Sequence, residues 1–131
     1  MTVPTNVFVQ RFRAAASGAL PTTLIAAWAQ AIERCEIGYD DCLDEYRSDL
    51  QVRDALEHAL QDGPLRQCQQ LGWVREQVAA LDLRFRALLQ EDVIVPGPPG
   101  PWWHRHPLRY AGAETAAEYA LLGIQVEVRG S

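Results

Sequence analysis

Between Pro96 and Pro101 the chain reads Pro-Gly-Pro-Pro-Gly-Pro, and neither a helix nor the interior of a sheet can continue through it. Each proline fixes φ near −65° and removes a backbone donor, so the block favours an extended, polyproline-like path. Six such residues reach about 19 Å at about 3.1 Å each. That is enough to cross much of one face of a small domain. The block separates residues 1–92 from residues 93–131, and a chain of 131 residues fits one domain.

Upstream, the apolar spacing is helical. Leu24, Trp28, Ala31, Ile32 and Cys35 form one stripe, with Thr22 or Thr23 placed as a hydroxyl cap and Gly38 at the end. Asp40 or Asp41 is placed to cap a third helix through Leu43, Tyr46 and Leu50. Its stripe then shifts phase to Val52, Leu56, Ala59 and Leu60, and Ser48-Asp49-Leu50-Gln51 has the form of a capping box, which allows a break there. Gly63-Pro64 closes that element. Leu71, Val74, Val78, Leu81, Phe85 and Leu88 then predict one long helix from Pro64 to Gln90, about 40 Å at 1.5 Å per residue. The first segment, Asn6 to Ala19, is open to two readings. Phe8, Phe12, Ala15 and Ala16 share a helical face, while Val7 and Val9 alternate as in a strand.

Downstream, Val93–Val95 predicts a short strand, Ala113–Leu122 a short helix with Gly123 as its C-cap, and Ile124–Arg129 a strand. A lone strand leaves its backbone groups unpaired. The last strand therefore requires Val93–Val95, the Val7–Val9 region or the edge of another molecule. The expected fold class is mainly α: a three-to-four-helix bundle over residues 1–92, with a Pro-rich linker and a C-terminal short helix plus β-strand appendix over 93–131, packed as one domain.

Charge is unevenly spread. The net charge is −5, every basic side chain is arginine, and Glu33–Asp62 holds ten acids against three arginines. That balance disfavours nonspecific binding of nucleic acid by the whole surface. Asp40, Asp41, Asp44, Glu45 and Asp49 concentrate the negative charge, and aligned carboxylates suit capture of a basic partner. Beyond the proline block stand Trp102, Trp103, His104, Arg105, His106, Arg109 and Tyr110. Flat rings beside arginines suit stacking and phosphate contact. A tryptophan after a stiff spacer equally suits an anchor on the chain's own bundle. The segment is expected chiefly as a strap that leaves the long helix, crosses the bundle and pins itself with Trp102 or Trp103, with partner docking as its second role.

Chemistry is sparse elsewhere. His104-x-His106 offers two imidazoles, and a catalytic zinc needs a third protein ligand, for which Glu114 and Glu118 are the nearest acids. The spacing is nonspecific, and no metal or cofactor is assigned. Cys35, Cys42 and Cys68 are odd in number, lie within helical patterns and match no zinc-knuckle spacing, so reduced, buried thiols are expected. Ser17, Ser48 and Ser131 sit in no strand–turn–helix elbow, and no glycine-rich phosphate loop follows a strand. No apolar run reaches the roughly 18–20 residues that span a bilayer, and the N-terminal arginines follow rather than precede a short apolar run. A cytoplasmic location is expected.

The expected function is a small non-enzymatic interaction module of a bacterial-type multiprotein system: an adaptor, accessory subunit or inhibitor. Its partner would be another protein, basic or nucleic-acid-associated, or a second copy of the chain, with neither membrane nor nucleic acid as a direct ligand. Phosphate or nucleic-acid binding through Arg105 and Arg109 is the first alternative. A small metalloenzyme using His104 and His106 is the second.

Overall fold

Pro4 and Pro21 each stand where a helix begins, at positions whose N–H would have no intrahelical partner. In the computed structural model, which describes residues 2–130, Pro4 precedes helix α1 (Thr5–Ala15) and Pro21 opens α2 (Pro21–Gly38). The first segment is therefore helical, and Phe8 and Phe12, one turn apart, are its buried residues with ring centroids 6.2 Å apart. Neither Thr22 nor Thr23 caps α2. The N-cap is Leu20, so both threonines already lie within the first turn.

Helix α3 (Leu43–Gln61) runs unbroken through Ser48. The expected phase shift disappears once Arg53 is counted on the buried face. Leu43, Tyr46, Leu50, Arg53, Leu56 and Leu60 then follow one stripe of three- and four-residue steps.

The expected single helix from Pro64 to Gln90 is instead two: α4 (Gly63–Arg66) and α5 (Leu71–Arg86). The Asp62 carboxylate caps α4 by accepting the Leu65 N–H at 3.0 Å. Between the two, Cys68 N–H bonds Leu65 O and Leu71 N–H bonds Cys68 O, both with i→i−3 spacing. Three residues per turn put Leu65, Cys68 and Leu71 on one side, and all three are buried. A regular α-helix would rotate them progressively away from one another. The sixteen residues of α5 span about 24 Å rather than about 40 Å.

After α5 the chain loops out and returns to its own starting point. Leu89 and Leu108 form an antiparallel bridge, Gln90 N–H bonds Pro107 O at 2.8 Å, and Val95 N–H bonds Arg105 O at 2.8 Å. Val93–Val95 is thus no strand, and the proline block does not carry the chain across the bundle. It forms the outer part of a closed loop of the Ω type, with the short α6 (Trp102–Arg105) on its return limb.

Strand β1 (Tyr110–Ala111), α7 (Ala113–Leu121) and β2 (Glu127–Val128) complete the chain. The last strand pairs in parallel with β1, Tyr110 opposite Glu127 and Ala111 opposite Val128. None of the three expected partners is used. Only two residues pair; Ile124 and Val126 spend their alternation on burial in the core instead. The architecture is a mainly helical bundle with a small C-terminal helix-and-strand unit. No helix among the described residues is long and apolar enough to cross a membrane.

Candidate functional site

Helix α3 carries α6 and α7 of the C-terminal part of the chain. Arg53, only 4% exposed, donates Nε and Nη2 to the two oxygens of Asp82 on α5, both at 3.0 Å. Its Nη1 reaches Glu57 at 3.0 Å. Trp28 of α2 donates Nε1 to the same Asp82 at 3.1 Å, so one carboxylate ties three helices together. A buried arginine survives only when its donors are matched in this way. Burial works to raise the Glu57 carboxyl, but hydrogen bonds from Gln61 and Arg53, with the charges of Arg53 and Arg75, outweigh it and hold the group below its ordinary value. Burial, reinforced by Asp49, pushes the Cys35 thiol up to about 12, so it stays protonated and inert within the core.

The tryptophans pack on their own chain. Trp103 is buried, stands 4.1 Å from the Arg53 guanidinium and donates Nε1 to Asp54 at 2.8 Å. Trp102 is half-buried against Phe85 at 6.2 Å and lies 3.9 Å beneath the Arg86 guanidinium. His104 Nε2 lies 2.9 Å from both oxygens of Asp54, and His106 Nδ1 lies 2.8 Å from Val93 O. Each of these nitrogens faces an acceptor and therefore carries the proton. The opposite ring nitrogens, Nδ1 of His104 and Nε2 of His106, have no hydrogen-bond partner among the described residues. The two imidazoles are thus committed to different anchors. Glu118 accepts the Leu43 N–H at 3.3 Å, and among the described residues no three metal-ligating side chains converge.

Arg105 and Arg109 are not brought together. Arg105 donates to Gly100 O at 2.8 Å and lines the cavity beneath the proline loop, which Arg109 does not. Arg109 is tied by its backbone to Leu88 and Glu127. Tyr110 donates its hydroxyl to Glu36 O at 2.7 Å, under the guanidinium of Arg129.

The five singled-out acids do not form one unoccupied face. Asp40 accepts the Glu114 N–H at 2.9 Å and so caps α7, while Glu118 of α7 serves the start of α3. The α2–α3 connection thus caps α7, and α7 in turn supports the start of α3. A Cβ at Gly112 would overlap the Asp40 side chain, so only glycine permits this approach. Asp41 accepts its neighbour's N–H from Cys42 at 2.7 Å, and its backbone exchanges two hydrogen bonds with Thr115. Asp49 accepts from Arg34 at 2.6 Å and from Tyr39 at 2.7 Å. Asp44 and Glu45 remain exposed in the first turn of α3, with Asp44 in a loose 3.6 Å pair with Arg47.

Two concavities stand out. One, of about 490 Å³, lies between α3, α7 and the proline loop. The other, of about 390 Å³, is a groove between α2 and α5 lined by Ile25, Ala26, Ala29, Ala80, Leu81 and the half-exposed Trp73. Trp73 was legible as an outlier, since it falls off the Leu71–Val74–Val78 stripe. The Arg53–Asp82 link had a weaker signal, an arginine in step with Leu50. No protein-family model, curated protein or solved structure matches the chain.

Proposed function

We propose that the protein is a non-enzymatic interaction module, an adaptor, accessory subunit or inhibitor, that docks the apolar face of a partner's amphipathic helix in the α2–α5 groove. The observation that carries this reading is the groove itself. Ala26, Ala29 and Ala80 keep its floor low, so a third helix can approach to the roughly 8–10 Å of ordinary helix packing. Trp73, 47% exposed, stands beside it as the kind of large, half-desolvated ring that dominates binding energy at interfaces.

Charge narrows the partner. Arg84 at the rim pairs with Glu36 at 2.6 Å and also feels Glu33, leaving two acids against one arginine. A helix with a basic residue flanking its apolar face complements that edge. The exposed Asp44 and Glu45 add long-range attraction for the same kind of partner.

Untagged co-purification from the native host, with mass spectrometry, tests this. A partner retained by the wild type and by Arg105→Ala, but lost from Trp73→Ala and Ala29→Glu, is the expected result. Retention by both groove variants overturns the reading.

A further inference from the structure

In a chain of net charge −5, the cavity beneath the proline loop is lined, among the described residues, by sixteen side chains and backbone segments, none of them from Asp or Glu. Four basic side chains line it instead: Arg47 from α3, and His104, Arg105 and His106 from the return limb of the loop. Two of the four face carboxylates that lie outside the cavity lining. Asp54 holds His104 Nε2, and Asp44 reaches Arg47 only at 3.6 Å. Arg105 spends one donor on Gly100 O and keeps the rest of its planar fork.

The remaining lining is apolar, with Leu43, Leu50, Ile94 and the Trp103 ring. Tyr46 forms part of the floor. Its hydroxyl is sealed beside Tyr119 without a hydrogen bond of normal geometry, and burial pushes its pKa well above the ordinary tyrosine value. A volume of about 490 Å³ is within the range of small-molecule sites. Low-dielectric walls with one sign of charge concentrate field, and a proline-rich rim loses little entropy when a ligand closes on it.

We propose that this cavity binds a small organic anion, a carboxylate or phosphate group carried on a ring-sized apolar body. The charged group meets the forks of Arg47 and Arg105. The apolar body lies against Trp103 and the leucines of α3. This site is separate from the α2–α5 groove and does not depend on it.

Calorimetric titration of the full chain with benzoate and with phenyl phosphate tests the assignment, with phenol and inorganic phosphate as controls. At least one aromatic anion is expected to bind, and to bind at least tenfold more tightly than either control. The preferred one tells carboxylate from phosphate. Removing a charged hydrogen bond costs on the order of tenfold in affinity, so Arg47→Gln and Arg105→Gln each weaken binding about that much. Both side chains are exposed, and unchanged melting curves verify that the variants fold. Arg109→Gln and Trp73→Ala leave binding at the wild-type level, so failure here and failure of the groove are read separately. Binding of phenol as tight as the anions, wild-type affinity in both cavity variants, or no binding by either anion overturns the proposal.

Discussion

The Asp82 hub and the proline loop both hang from α3, and they are held in different ways. At the hub, a guanidinium with 5% side-chain exposure meets carboxylates on two helices, and every strong donor is matched. At the loop, the backbone closes on itself through Val95–Arg105 and Gln90–Pro107, while the contact with α3 is carried by Trp103 and the partly exposed Asp54. Breaking a buried charge pair leaves an uncompensated ion, whereas an exposed acceptor can turn to water. The hub therefore holds the bundle together, and the loop is a separately closed unit pinned to it mainly through Trp102, Trp103 and His104.

Three substitutions probe that contrast. Arg53→Ala is expected to be the most damaging, costing about 3 kcal/mol, because Asp82, with 15% side-chain exposure, loses its bidentate partner and keeps only the Trp28 N–H; denaturant unfolding measures it. A loss of about 1–2 kcal/mol or less would put the hub no higher than the loop. Trp103→Phe removes only the N–H to Asp54 and some ring volume, and is expected to cost about 1–2 kcal/mol. Limited proteolysis should then open the loop near Pro96–Pro101 before the bundle, and simultaneous cleavage of both would show that the two are one cooperative unit.

Glu57 gives the smallest effect and fixes its sign. Its folded pKa is depressed, so its contribution to stability is present above the ordinary glutamate range and is lost as pH falls through the lower folded value. Melting temperature should therefore drop more steeply on the acid side for the wild type than for Glu57→Gln. Equal acid slopes would mean that Glu57 is not coupled to Arg53 in solution.

Much of this architecture is legible one element at a time. The stripe through Trp28 and Cys35 marks α2, and Gly123, with φ 78°, ends α7 just beyond its last turn, as its position after an alanine-rich run implies. The stripe from Leu71 to Leu88 does not show where its helix begins, because the three-residue spacing of Leu65, Cys68 and Leu71 is hard to tell from a 3.6-residue repeat over so short a span. Arg53 misled because an arginine in an apolar stripe reads as a phase shift until its partner is known. The acids around Asp40 looked like an exposed face because capping at a distance leaves no trace in local pattern.

Local periodicity and the conformational limits of proline and glycine are properties of neighbouring residues, and they were sufficient for a mainly helical chain interrupted at Pro96. What the charged and aromatic side chains do depends on partners far away in the chain. Arg53 meets Asp82 across 29 positions, Trp103 meets Asp54 across 49, and Asp40 meets Glu114 across 74. Those pairings follow from how the helices pack, since burial makes each polar group find an acceptor wherever the fold places one. The same packing turned Asp40, Asp49 and Asp54 to partners within the fold and left the cavity beneath the proline loop lined with arginine and histidine and no carboxylate.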